Sequence, residues 1–381
     1  MKKTIFLLMA SFLAICACDR QESMNQIADR VYALAASQFK LMASELEDGQ
    51  CPRSVEDGCL QVTDIGGWCS GFFPGSLWLT YEHTGDPELL PLADRFTRQL
   101  DGLTGYESDH DLGFRVNCSY GNAYRITGDE SYLPMIDTAA VMLAARFNPV
   151  VGCTRSWNDR QRWDFPVIID NMMNLELLMN ATSLFSGADY KQLAETHANT
   201  TLANHFREDW STWHLLNYSS EDGHVIGRQT VQGFSDSSMW ARGESWALYG
   251  YTMMYRETGV PAYLDAACNI ADLLLKRLPE DGIPYWDFDC DRIPDTNRDA
   301  SAACIMASAF LELSGLSGRE EYRTMAELQI RTLTSPEYLS QPGENHGFLL
   351  KHSVGNFPGD SEVDVPLTYA DYYLLEALSR L

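Results

Sequence analysis

One short pattern recurs five times along the 381-residue chain and limits its architecture more than any other feature. A small hydroxyl residue is followed by glycine, a few polar residues and often an aromatic, as in "HTGDPELL", "ITGDESYL", "FSGADYKQL", "ETGVPAYL" and "LSGREEYRTM". The glycines are Gly85, Gly128, Gly187, Gly259 and Gly318. Each follows a helix-like stretch and precedes another, as expected where a glycine ends one helix in the left-handed conformation before a short hop to its neighbour. Reading outward gives helix pairs at 71–84 with 87–101, 113–127 with 130–146, 171–186 with 188–206, 239–258 with 261–278, and 299–316 with 319–335. The unpaired ends, 24–46 and 366–380, make a sixth pair if the ring closes. Strand signals such as "HVIGR" are few and short, so the expected fold is all-α, an (α/α)6 barrel built as a toroid of six hairpins. An open α-solenoid is the alternative, and the matching lone helices at the two ends favour closure.

The hairpin turns are short, whereas the segments joining one hairpin to the next are long and rich in polar and aromatic residues. They are "DIGGWCSGFFPG", "ESDHDLGF", "RQRWDFPVIIDN", "RQTVQGFSDSSMWARGESW", "IPYWDFDCDRIPDTNRDASAA" and "ENHGFLLKHSVGNFPGDSEVD". In a closed ring they converge on one mouth, where Trp, Tyr, Asp, His and Arg together suit sugar recognition.

Two acids stand out there. Asp111 and Asp170 both begin an inner helix on adjacent hairpins. Helix capping is one reading of both. The other rests on the neighbours of Asp170: Val167, Ile168, Ile169, Met172 and Met173 would desolvate the carboxyl, raise its pKa and keep a proton available, the profile of a general acid. Asp236, Asp287, Asp289, Asp299 and Asp364 remain candidates by composition alone. Arg242 lies between Trp240 and Trp246, where flanking indoles would restrict water around a bidentate carboxylate contact; packing of Arg on Trp is the alternative. Gly243-Glu244-Ser245-Trp246-Ala247 lacks the second glycine and the preceding strand of a nucleophile elbow. His110, His214, His346 and His352 share no metal-ligand spacing, so neither a metal nor another cofactor is expected. His214 fits a sugar hydrogen bond or a buried structural histidine equally.

Residues 1–17 read as a lipoprotein signal peptide, since a basic start and an apolar run end at "ICAC". Cys18 would then be the lipidated N-terminus, residues 18–23 a short tether and residues 24–381 one catalytic domain, in an exported lipoprotein of the cell envelope. No later apolar stretch reaches the roughly 18 residues of a transmembrane helix, so membrane attachment is expected through the lipid only. Asp and Glu total 53 against 28 Lys and Arg, a formal charge of −25, which argues against nucleic acid as a partner. The cysteines beyond Cys18 show no C-x-x-C spacing and read mostly as buried thiols, Cys51 with Cys59 being the one pairing considered. Oligomeric state leaves no mark on the sequence.

The segments "GGWCSGFFPGSLW", "HDLGF", "IIDNMMNLELL", "TVQGFSDSSMWARGESWALYG", "YWDFD" with "ASAACIMAS", and "YADYYLLEAL" together resemble the unsaturated glucuronyl hydrolases of glycoside hydrolase family 88, in the family's order and across nearly the whole mature chain. The resemblance implies an (α/α)6 barrel, with Asp170 as general acid and base and Asp111 as the second essential aspartate. By the same resemblance, Trp68, His214, Thr230, Gln232, Arg242 and Trp246 fall where members of the family contact the unsaturated sugar. The implied substrate is an oligosaccharide of glycosaminoglycan type bearing a 4,5-unsaturated uronic acid at its non-reducing end, left there by a lyase. The implied reaction hydrates the carbon 4–carbon 5 double bond. Asp111, as a nearby negative charge, would favour the protonated form of Asp170. The loop "SVGNFPGDSEVD" departs from relatives that carry a Ser/Lys pattern suited to sulfate, leaving Lys351 and Arg228 as substitute cations. Competing readings are an unsaturated rhamnogalacturonyl hydrolase acting on pectin fragments, an inverting glycosidase on the same barrel, and a non-catalytic surface glycan-binding lipoprotein.

Overall fold

A computed structural model describes residues 22–106, 109–187 and 189–381; the expected signal peptide, Cys18 and most of the expected tether lie outside them. Twelve α-helices carry the described chain: α1 (Met24–Glu45), α2 (Phe72–Thr84), α3 (Leu89–Arg98), α4 (Asn122–Thr127), α5 (Leu133–Ala144), α6 (Asn171–Leu184), α7 (Lys191–Asn204), α8 (Ala241–Thr258), α9 (Pro261–Arg277), α10 (Ala300–Ser317), α11 (Glu320–Leu333) and α12 (Thr368–Ser379). A π-helical run, Gly113–Gly121, leads directly into α4, so the helix expected over 113–127 is two geometries joined.

Inner helices α2, the π run with α4, α6, α8, α10 and α12 pack side by side in a cycle, α12 touching both α10 and α2. That contact closes the ring and excludes the open solenoid. The remaining helices form the outer layer, each returning from a hairpin turn. Gly85, Gly128, Gly259 and Gly318 end their helices at φ 66–71°, where a side chain would be strained. Gly187 also has positive φ, 89°, but α6 ends earlier at Phe185 in extended conformation.

Inner helices are buried on nearly all faces, which explains why they are rich in Ala, Ser, Gly and aromatics rather than striped. On Gly250 of α8 a Cβ would lie 2.5 Å from the Cβ of Met172 on α6, so the absent side chain sets that helix spacing. α10 corrects one expectation. Its 18 residues have a mean hydropathy of 1.4, long and apolar enough to cross a membrane, yet 78% of them are buried inside the protein.

Among the described residues nine short strands occupy the long connections. They form antiparallel sheets: β1 (Cys51–Glu56) with β2 (Cys59–Thr63), β3 (Phe147–Asn148) with β4 (Cys153–Thr154), β5 (Phe165–Ile168) with β6 (Leu215–Tyr218) and β7 (Val225–Gln229), and β8 (Ser353–Asn356) with β9 (Ser361–Val365). These sheets stiffen the mouth end of the barrel. Cys51 pairs in register with Thr63 and Cys59 with Glu56, and both thiols are free, which removes the considered disulfide.

Candidate active site

All six inner helices run from the loop side toward the hairpin turns, so their N-termini converge on the mouth. Orphan N–H groups and aligned peptide dipoles make that end favourable for an anion without any side chain. Asp170 sits there at the last residue before α6, where β5 delivers it. Its backbone is helical and its side chain makes no capping hydrogen bond, so the capping reading fails. The carboxyl is only 13% exposed, and its Oδ2 has no hydrogen-bond partner among the described residues. Burial raises its pKa from an ordinary 3.8 to about 6, against the Arg242 charge, which lowers it.

His214, at the start of β6, approaches that oxygen. Its Nδ1 accepts the Val231 N–H at 3.1 Å and lies 3.2 Å from the Thr230 hydroxyl. An acceptor Nδ1 puts the ring proton on Nε2, and Nε2 is 3.9 Å from Asp170 Oδ2. The pair is no salt bridge: burial lowers the His214 pKa to about 3, so a neutral N–H faces the acid. Nε2 itself has no partner, nor does the buried Trp246 indole N–H. Both are donors held ready beside the carboxyl.

Asp111 is 8% exposed and begins the turn into the π run. Its pKa is raised well above the ordinary value, first by burial, then by the charge of Asp109, with that of Asp170 adding to the shift. Burial thus favours the protonated form of both acids, and the two carboxyls are coupled through their charges. His110 Nε2 lies 3.4 Å from Asp111 Oδ1 and is held neutral by burial, its pKa lowered to about 3.

These features match known enzymes. The profile of Glycosyl Hydrolase Family 88 covers residues 42–374. An unsaturated glucuronyl hydrolase of Formosa agariphila is 45% identical over 317 residues, 82% of this chain and 79% of its own. The chain belongs to glycosyl hydrolase family 88. Among solved structures, an unsaturated glucuronyl hydrolase specific for heparin superposes with a TM-score of 0.91 at 46% identity, covering 93% of this chain and 97% of its own. The unsaturated glucuronyl hydrolase of Bacillus sp. GL1, responsible for the degradation of glycosaminoglycan, gives 0.86 at 29% identity, covering 92% and 96%. The family assignment makes this chain a glycoside hydrolase on an (α/α)6 barrel.

The other expected site residues surround the acids of this family 88 mouth unevenly. Trp68 is partly buried, 4.9 Å by ring centroid from Tyr369 and 5.7 Å from Phe114. Phe114 in turn meets Trp246 at 5.1 Å. Thr230 accepts the Gly233 N–H, and its own N–H is held by Asp236. Gln232 donates to the Gly355 carbonyl at 3.2 Å.

Arg242 differs most from expectation. Its guanidinium is 4.6 Å from the Trp240 ring, while Trp246 packs elsewhere, on Phe114 and Tyr373. It donates to the Val354 and Gly355 carbonyls and to Asp299. Arg242 thus pins the β8–β9 hairpin to the barrel and tunes Asp170 by its charge.

The remaining loop acids serve the scaffold. Asp287 accepts the Phe234 N–H and the Ser238 hydroxyl, Asp289 the Met239 N–H and Arg277, Asp299 the first turn of α10, and Asp364 pairs with His352. Lys351 donates to the Pro336 carbonyl, and Arg228 lies 5.9 Å from the Trp213 ring. His346 pairs with Glu45. Ser245 donates to carbonyls within the helix layer, as expected of no nucleophile.

Asn174 went unnoticed in the sequence. It stands one helical turn beyond Asp170, fully buried. Its Oδ1 accepts the Phe114 N–H at 3.0 Å, its amide bears on the Asp111 carboxyl, and a Cβ on Gly113 would come within 2.6 Å of it. The i, i+4 spacing of Asp170 and Asn174 in "DNMMN" was the available signal.

Proposed function

We propose that this site releases the 4,5-unsaturated uronic acid from the non-reducing end of lyase-generated glycosaminoglycan oligosaccharides by hydrating the ring double bond. The named activities of its family 88 relatives support the substrate class. The buried Asp170 carboxyl, with its Oδ2 unpartnered 3.9 Å from His214 Nε2 and the Trp246 indole N–H beside it, carries the reading.

In the scheme the substrate is an enol ether. Asp170 donates its proton to carbon 4, and positive charge develops at carbon 5 next to the ring oxygen. The ionised Asp170 then takes a proton from water as that water bonds to carbon 5. The hemiketal so formed opens, the carbon 5 hydroxyl proton passing to the departing side, and the rest of the oligosaccharide leaves with the aglycone hydroxyl. The glycosidic bond breaks as a result of hydration, so the two carboxyls need not flank it as in ordinary glycosidases. Neutral His214 and Trp246 orient the acid, the helix N-termini hold the uronate, and Asp111 as a neutral acid hydrogen-bonds the ring.

A non-catalytic glycan binder has no use for such an acid, whose burial costs free energy without a partner. The test uses unsaturated disaccharides from chondroitin, hyaluronan, heparin and pectin, following the ultraviolet absorbance of the conjugated alkene. Its loss on glycosaminoglycan disaccharides is expected. Preference for the pectin product would favour the rhamnogalacturonyl alternative, and cleavage of saturated glycosides with every alkene intact would defeat the reading. The leader supports attachment to the cell envelope through Cys18, checked by mass spectrometry of the mature N-terminus.

A further inference from the structure

One buried acid plays no part in the hydration scheme. Glu244 lies in the first turn of α8 and is fully buried. Its Oε1 accepts two hydrogen bonds from a single residue, the Thr212 N–H at 2.8 Å and the Thr212 hydroxyl at 3.0 Å. Its Oε2 has no partner among the described residues. Burial pushes the pKa of this carboxyl up to about 8, so at neutral pH Thr212 meets a neutral acceptor rather than a charge.

Thr212 belongs to the connection between α7 and β6 that carries His214, and it is clamped from both sides. Opposite Glu244, Arg207 donates to the Thr212 carbonyl at 2.7 Å and to the Ser211 hydroxyl at 3.0 Å, its guanidinium lying 4.1 Å from the Trp213 ring. The Trp213 N–H then goes to the His205 carbonyl at 2.8 Å, and the His214 carbonyl accepts the Ile169 N–H, one residue before Asp170, at 3.0 Å. Two residues beyond Glu244 on α8 stands Trp246, the other N–H donor beside Asp170. Trp240, whose carbonyl accepts the Glu244 N–H at 3.1 Å, packs its ring 4.6 Å from that of His214. The tie matters because His214 Nε2 stands 3.9 Å from Asp170 Oδ2, just beyond hydrogen-bond reach. A small shift of the connection against α8 decides whether that donor meets the carboxyl.

We propose that Glu244 is a positioning residue for the hydration reaction: by holding Thr212 it locks the connection bearing His214 to the helix bearing Trp246, and so fixes both N–H donors against Asp170. Glu244 itself touches neither substrate nor reacting atom. What its position requires is an acceptor oxygen, which an amide supplies as well as a neutral acid does. The inference rests on the proposed function, since only that reaction gives His214 and Trp246 a common task.

The test pairs kinetics on an unsaturated chondroitin disaccharide with nitrogen NMR of the His214 imidazole in the substrate-free enzyme, its signals identified by their loss in His214→Gln. Glu244→Leu should lower kcat about thirtyfold while KM stays within about threefold of native. A released connection lets Nδ1 leave the Val231 N–H, so the same variant should move the imidazole signals from the Nε2–H form toward a mixture of the two neutral tautomers. Glu244→Gln, which keeps the acceptor oxygen, should retain the native signals and a kcat within about threefold of native. Thr212→Val, which loses the hydroxyl bond alone, should lower kcat about fivefold, and Thr212→Ser should stay within about twofold of native. A folded Glu244→Leu enzyme with native kcat, a lowered kcat beside unmoved His214 signals, or Glu244→Gln as slow as Glu244→Leu would each overturn the assignment. Should Glu244→Leu fail to fold, native kcat in Thr212→Val would overturn it instead. Failure of the native enzyme to consume any unsaturated disaccharide would defeat the proposed function beneath it, while the imidazole signals would still report whether Glu244 holds His214.

Discussion

The two ends of the barrel hold ionisable groups in opposite ways. At the hairpin-turn end, where the inner helices finish, a cavity of about 850 Å³ is lined by Glu176, Arg256, Glu376, Arg380, Glu82 and Arg125 among others. Every one of these charges is answered. Arg256 meets Glu176, Glu257 and Glu312, Arg380 meets Glu312 and Glu376, and Arg125 meets Glu82. At the mouth, Asp170, His214 and Trp246 keep polar atoms without partners. A cavity of this size is thus no sign of chemistry by itself. What sets the mouth apart is unanswered polarity beside an acid of raised pKa, since a buried group without a partner is costly and can persist where a ligand completes it.

Changes at the mouth should therefore alter rate and spare stability, while changes at the other end should do the reverse. The largest effect is expected from Asp170→Asn: about 1,000-fold or more off kcat, with an unchanged circular dichroism spectrum and melting point, because the native side chain caps nothing. Melting far below the native enzyme would restore the capping role. Next, Asn174→Ala should lower kcat by about ten- to a hundredfold by loosening Asp111 against Asp170. An unaltered rate would remove Asn174 from the site.

The third expectation concerns pH. Asp170 must be protonated to act, and its pKa lies near 6 in the free enzyme, so kcat/KM should be level on the acid side and fall by about tenfold per pH unit above that value. The bound uronate, being negative, should move the limb seen in kcat to higher pH. A limb that rises with pH would assign Asp170 as base alone. The smallest catalytic effect belongs to Arg256→Met at the far end. It strands Glu176 and leaves Glu312 with Arg380 alone, their side chains being 20% and 13% exposed, and should cost about 2 kcal/mol of stability with kcat/KM within twofold of native. A large loss of activity there would show that the two ends are coupled.

Much of the barrel was legible because its turns are written locally. A left-handed helix end demands glycine, and the helix read as 261–278 is observed as Pro261–Arg277. The π run was not legible in the local pattern; it begins at Gly113, which lies close against Asn174 on a neighbouring helix some sixty positions away. The same limit applies to the site. Asp170 announced itself through its apolar neighbours, whereas the partners of Arg242 are backbone carbonyls of Val354 and Gly355, and carbonyls carry no sequence signature. The raised pKa of Asp111 likewise depends on its burial and on the charge of Asp109, neither of which composition reports.

The seam of the ring has a consequence for synthesis. α12 is made after the other described helices, and among them it alone joins α10 to α2 while bringing Tyr369 to Trp68 and Arg242. Until its residues leave the ribosome, two inner helices have an uncovered apolar flank, the kind of surface on which nascent chains aggregate. Closure and assembly of the mouth are one late event, so a chain truncated before Thr368 should be recovered as an insoluble, chaperone-bound product rather than as a weakened enzyme.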